Sequence, residues 1–159
     1  MEFYASHDHQ DFRRLIEFGN QEYFGNVSWD IRSDPSTATI NDEDLTISQL
    51  TKVHNTDFET AYVLVPLSRH YEVMEVIPIG RELTLKAVLT RIHKFYHEQL
   101  STKQIEKIKF YPKCGYKDEL IDRANQGENV SFVDLRGDCV CFEGIKRVRG
   151  NIYEMILGS

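Results

Sequence analysis

Two hydrophobic periods follow one another along this chain without interleaving, and that order limits the folds open to it. Residues 27–32 alternate apolar and polar side chains as strands do, and 61–67 and 70–79 read as further strands. Residues 84–126 carry apolar side chains at helical spacing, and residues 130–157 return to short strand-like runs cut by glycines. Successive βαβ units would mix the two periods throughout. Segregated periods instead imply an α+β domain, a mainly antiparallel sheet with two or three helices packed on it. At 159 residues the chain has the length of one domain. It can bury roughly two thirds of its unfolded surface without a disulfide or metal staple. Residues 1–26 read as an N-terminal segment with a short helix, and 27–159 as the α+β domain itself.

The elements follow from local signals. A helix over 9–18 would bury Phe12, Leu15, Ile16 and Phe18, capped by Asp8 and ended by Gly19. In 27–32, Val27, Trp29 and Ile31 share one face. Residues 33–44 (SDPSTATINDED) have loop composition. Residues 45–53 fit either period, and their Thr, Ile and Val content favours a strand. The strongest helix spans 84–99, where Leu85, Val88, Leu89, Ile92 and Tyr96 form one stripe. That stripe is expected to cover the face carrying Trp29. Ser101 and Gln104 match a capping box for a helix over 102–109, which Pro112 bars from continuing. A further helix over 117–126 carries Leu120, Ile121 and Ala124 and stops at Gly127. Three strands, 130–135, 139–145 and 151–157, end the chain, separated by 136–138 and 146–150.

Charge and cysteine content restrict function. The net charge is −6, with residues 1–80 at −9 (5 bases, 14 acids) and residues 81–159 at +3 (14 bases, 11 acids). An acidic chain is a poor general ligand for phosphate backbones. Three cysteines, Cys114, Cys139 and Cys141, make no disulfide framework. The N-terminal residues also lack the basic stretch and apolar core of a secretory signal. These features imply free thiols in a reducing, intracellular setting. Cys139 and Cys141, two apart in an apolar run, read as two buried thiols on one strand face.

Catalytic patterns fail on geometry. His93 and His97 have the i,i+4 spacing of a helical zinc pair, but HKFYH lacks the glutamate of H-E-x-x-H. They read as histidines at the border of the apolar stripe. His7-Asp8-His9 reads as a solvated segment. Asp134, Glu143 and Lys146 suggest a nuclease arrangement on consecutive strands, but Glu143 and Lys146 are three apart and point to opposite faces. No phosphate loop, dinucleotide fingerprint or nucleophile elbow occurs. No catalytic residue, cofactor or metal is therefore expected. The best binding candidate is the segment 103–117, where Lys103, Lys107, Lys109, Lys113 and Lys117 interleave with Phe110, Tyr111 and Tyr116. Lys146, Arg147 and Arg149 could extend it.

Three stretches together, VSWDIRSDP, IPIGRELTLKAVLTRIHKFYHEQLS and FVDLRGDCVCFEGI, resemble a family of domains of unknown function common in basidiomycete fungi, with relatives in giant DNA viruses. Trp29, Asp30 and Arg32 match that family's W-D-L-R strand. Thr84, Val88, Leu89 and Ile92 match its helix, Leu100 and Ser101 fall at the following turn, and Val133, Asp134, Phe142 and Gly144 match its closing strands. Ile31 stands where the family has Leu, and Arg136 where it has a small or apolar residue. The resemblance implies recurring structural positions and carries no activity. The function expected is a non-catalytic protein–protein interaction or structural domain, in the cytoplasm or in a virion, whose partner is another protein or another copy of itself. Its contact surface would be an edge of the C-terminal strands or the Tyr111/Tyr116 segment. The alternatives are a nucleic-acid-associated protein using Lys103–Lys117 and a hydrolase whose site the linear sequence hides. No membrane association is expected.

Overall fold

Strand pairing organises the chain from end to end. The computed structural model describes residues 2–4, 21–54, 59–67, 73–111 and 116–158. Its strands are β1 (Glu2–Tyr4), β2 (Glu22–Tyr23), β3 (Val27–Asp30), β4 (Thr39–Ile40), β5 (Glu43–Asp44), β6 (Ala61–Pro66), β7 (Val73–Gly80), β8 (Cys141–Arg149) and β9 (Ile152–Gly158). They form one sheet in the order β1-β7-β6-β9-β8-β3-β4-β5, with β2 also paired to β8. Among the described strands only β6 and β9 run parallel. The expected α+β domain with a mainly antiparallel sheet is what the chain adopts. The segment before residue 27 contributes β1 and β2 to that sheet, while the helix expected over 9–18 lies outside the described residues.

Short local devices set the register. Gly150, at φ +54°, turns β8 into β9. The next residue, Asn151, accepts from Tyr62 N through its carbonyl (2.9 Å) and donates from Nδ2 to Thr60 O (2.6 Å). Those two bonds dock the hairpin on β6 and start the parallel pair. At the middle of β8 the ladder is irregular between Phe142 and Ile145. There Gly144, at φ +108°, passes so close to β2 that a Cβ would lie 2.7 Å from Tyr23 O. Only glycine meets both conditions. It lets β8 pair with β3 at Cys141–Phe142 and with β2 at Ile145–Lys146.

The helices are α1 (Ile47–Thr51), α2 (Leu85–His97), α3 (Thr102–Ile108) and α4 (Lys117–Asn125). Thr84 caps α2 by accepting from Ala87 N (3.1 Å). The stripe Leu85, Val88, Leu89, Ile92 and Tyr96 is buried. It shares one apolar cluster with Trp29, Val63, Val65, Ile77, Phe142, Tyr153 and Met155 from the sheet. Each such aliphatic side chain contributes about 1.5–3 kcal/mol by leaving water. Tyr96 drives its hydroxyl to Pro66 O (2.6 Å) inside this core, so the one polar side-chain atom of the stripe is satisfied. α2 thus lies on the sheet, flanked by α1 and a 3-10 turn at Pro35–Thr37, and by a second 3-10 turn at Phe132–Arg136.

Several local expectations are corrected. Residues 45–53 hold a helix, because Thr46 and Gln49 form a reciprocal capping box over its first turn (3.1 and 2.9 Å). The loop 33–44 contains the β4–β5 hairpin, turned by Asn41 and Asp42, both at positive φ, the conformation a two-residue hairpin turn needs. In place of the strand expected over 130–135 stands the 3-10 turn Phe132–Arg136, since Asp134 accepts from Ser131 N (2.9 Å) and the only bridge described there joins Ser131 to Gln99. Asp134 and Glu143 therefore do not lie on consecutive strands. Residues 146–149 continue β8, and the turn waits for Gly150. The two thiols are not both buried: Val140 and Phe142 take the inward positions, leaving Cys139 half-buried and Cys141 exposed. Arg136 is buried completely, and its Nε donates to Cys139 O (3.2 Å).

Candidate functional site

The basic and aromatic residues singled out in 103–117 mostly serve the fold. Tyr111, expected at a contact surface, is buried in the core. It lies just beyond the end of α3, whose Ile105 and Ile108 are also buried. Lys109 Nζ sits 3.0 Å from both oxygens of Glu106. Lys117 donates to the carbonyls of Lys109 and Tyr111 (3.3 and 3.5 Å), tying the start of α4 to the end of α3. Tyr116 covers Gly137, where any Cβ would collide with its ring. Lys103 and Lys107 are exposed on α3, and Lys113 lies outside the described residues. Lys146, Arg147 and Arg149 lie on β8. Lys146 pairs with Glu22 (3.4 Å), Arg147 Nε donates to Gly150 O (2.9 Å), and Arg149 is exposed. α3 packs on α4, whereas β8 packs among β2, β3 and β9. The two basic groups thus belong to different parts of the molecule.

His93 and His97 do come together, as rings tilted by 33° with centroids 4.1 Å apart. His97 Nε2 donates to Ile31 O (2.9 Å), joining the end of α2 to the end of β3. His93 lies 6.3 Å from the ring of Trp29. Burial lowers the pKa of His93, the neighbouring His97 lowers it further, and Asp34 opposes both. Among the described residues no group of three or more His, Cys, Asp and Glu could hold a metal ion.

On the sheet, Glu154 of β9 sits in register with Lys146 of β8, which in turn pairs with Glu22 of β2. Burial raises the Glu154 pKa against the pull of Lys146. A cleft of about 350 Å3 lies between β7, the end of α2 and α3, lined by Glu75, Glu98, Gln104 and Lys107. Its wall is the parallel ring pair Phe95 and Phe132, 4.8 Å apart. It holds charges of both signs and no Ser, Cys or His that a carboxylate could activate.

The groove between α1 and α2 is different in kind. Its volume is about 240 Å3, and Pro35, Ile47, Leu50 and Leu89 supply its apolar lining. Ser36, Thr51 and Thr90 edge it, and Lys86 is its one charged residue. Leu50 is half-buried against α2, while Ile47, at the first position of α1, is 80% exposed. The capping box that forms α1 is what presents Ile47 in this way. On a strand the same residue would have had a sheet face to join. The T-x-x-Q at 46–49 is the signal that could have revealed this helix, since it has the same form as the S-x-x-Q at 101–104. Phe110 is as exposed (82%) but lines none of the described cavities.

No helix among the described residues is long and apolar enough to cross a membrane. No protein-family model, no curated protein and no solved structure matches the chain.

Proposed function

We propose that this domain works through protein contact, with the groove between α1 and α2 as its contact surface. The observation that carries the reading is Ile47, 80% exposed beside an apolar groove. A single exposed aliphatic residue is ordinary. One that extends a preformed apolar concavity gives a partner's side chain a place to leave water, as recognition of an apolar anchor requires. The local engagement of Lys109, Lys117, Lys146 and Arg147 supports the same reading, because cations already held by the fold have less to offer a phosphate backbone. The exposed thiol of Cys141 supports a reducing, intracellular setting. We infer that the partner is a different protein, because copies of a chain with net charge −6 repel one another.

Photo-crosslinking from position 47 in the native source tests this. A crosslinked species of discrete mass is expected from position 47 and not from exposed Glu128. When purified, that partner should bind the wild-type chain and bind Ile47→Asp at least tenfold more weakly. A species of twice the chain's own mass, or a purified partner indifferent to Ile47→Asp, would overturn the proposal.

A further inference from the structure

Resting on that reading, we propose that the groove takes a short acidic–aliphatic segment of the partner, with an aliphatic side chain between α1 and α2 and carboxylates along Lys86 and Lys94. α2 carries Lys86, Arg91 and Lys94 and no acid over its 13 residues, in a chain of net charge −6. None of the three cations has an ion pair among the described residues. Lys86 and Thr90 line the groove, and Lys94 continues that row one turn further on.

Lys86 also stands at the wrong end of its helix. It is the second residue of α2, where the macrodipole is positive, and the first turn holds no Asp or Glu to compensate. A cation there is disfavoured and a carboxylate favoured. An incoming Asp or Glu would answer both Lys86 and the helix N-terminus. Apart from Lys86 the groove offers nothing charged, and its Pro35, Ile47, Leu50 and Leu89 lining suits an apolar second half of the ligand. Its volume of about 240 Å3 suits one or two aliphatic side chains rather than an extended chain. A nucleic acid fits less well. A phosphate backbone gains affinity by many cation contacts in a row, and the three cations of α2 supply few. The groove also has no exposed aromatic ring for a base to stack on.

Display of a random peptide library against the full chain tests the inference. Enriched peptides are expected to carry Leu, Ile, Val or Met with Asp or Glu within a few positions. Fluorescence polarisation of a labelled enriched peptide should show affinity at least tenfold weaker for Ile47→Asp and about fivefold weaker for Lys86→Glu, the size of one exposed ion pair. Replacing the peptide's acid with Lys should restore binding to Lys86→Glu. Enrichment of basic or uncharged peptides that still need Ile47, or indifference to Lys86→Glu, would overturn the acidic ligand and leave the contact surface standing. No enrichment, or enriched peptides indifferent to Ile47→Asp, would overturn both. Displacement of the peptide by a mixed-sequence oligonucleotide at ~150 mM salt would also overturn the inference, in favour of a nucleic acid.

Discussion

Replacing Trp29 with alanine should remove about 4 kcal/mol of stability. The residue is 3% exposed on β3 and belongs to the main apolar cluster. Truncating a buried Trp or Phe to Ala costs ~3–5 kcal/mol through lost transfer and the cavity left behind. Two observations place this site in the middle of that range. The indole meets Phe142 in an edge-on pair with centroids 6.0 Å apart, a contact that adds about 0.5–1.5 kcal/mol beyond area. Against that, its Nε1 bond to Ser33 O (3.1 Å) is only partly buried, with Ser33 itself half-buried, so water can replace the donor and little is lost. At about 2–4 °C per kcal/mol for a chain of this size, the midpoint should fall by roughly 8–16 °C. Urea melts followed by far-UV circular dichroism measure it, since the variant has no tryptophan to report. Trp29→Phe, which keeps a ring against Phe142, should lose less than half as much. A change below ~1 kcal/mol for Trp29→Ala would refute the packing of β3 against α2.

The same core and sheet set expectations for His93, Glu154 and Gly144. The fluorescence of Trp29, the single tryptophan, should drop on acidification as His93 protonates beside it. Its midpoint should lie below the ordinary histidine value of 6.5, and the step should vanish in His93→Gln. Because the folded pKa of His93 is depressed, the unfolded chain binds more protons between that value and 6.5. The histidine's contribution to stability is therefore present above pH 6.5 and is lost as pH falls through the folded pKa, so His93→Gln should flatten that part of a stability–pH curve. Glu154 has the opposite sign: its raised folded pKa stabilises the protein below about 4.5, and that contribution is lost as pH rises through the folded value. Glu154→Gln should accordingly be more stable than wild type at pH 7 in thermal melts, and equal or lower stability would contradict the burial of this carboxylate. Gly144→Ala should cost at least ~2 kcal/mol, from positive-φ strain and the clash with Tyr23 O, and a neutral result in urea melts would contradict the close approach of β2 to β8.

How far these features could be read in advance depended on the range of the forces that make them. The stripe of α2, the capping box of α3 and the Val27–Trp29–Ile31 face are set by neighbours within one or two turns, and they were legible in the sequence. The residues 45–53 misled because Ile47, Leu50 and Val53 fit two periods, and the deciding bond, Thr46 to Gln49, is a side-chain cap rather than a pattern of hydrophobicity. The 3-10 turn at 132–136 looked like a strand because Val130, Phe132 and Leu135 are all buried, which apolar content alone cannot assign to one conformation. Tyr111 and Lys117 read as ligand-binding residues because nothing local told of the core beneath the ring or of the carbonyls that receive the ammonium. The groove was illegible for a related reason. Pro35, Ile47 and Leu89 come from three separate elements, and only tertiary packing makes them one surface.

Two equally exposed apolar residues allow the most direct test of the contact surface. The measurement is titration calorimetry of the partner crosslinked from position 47 against wild type, Ile47→Asp and Phe110→Asp, with both variants confirmed folded by circular dichroism. Affinity at least tenfold weaker is expected for Ile47→Asp, and unchanged affinity for Phe110→Asp. Wild-type affinity for Ile47→Asp, or an equal loss for Phe110→Asp, would contradict the assignment of protein contact to the groove between α1 and α2.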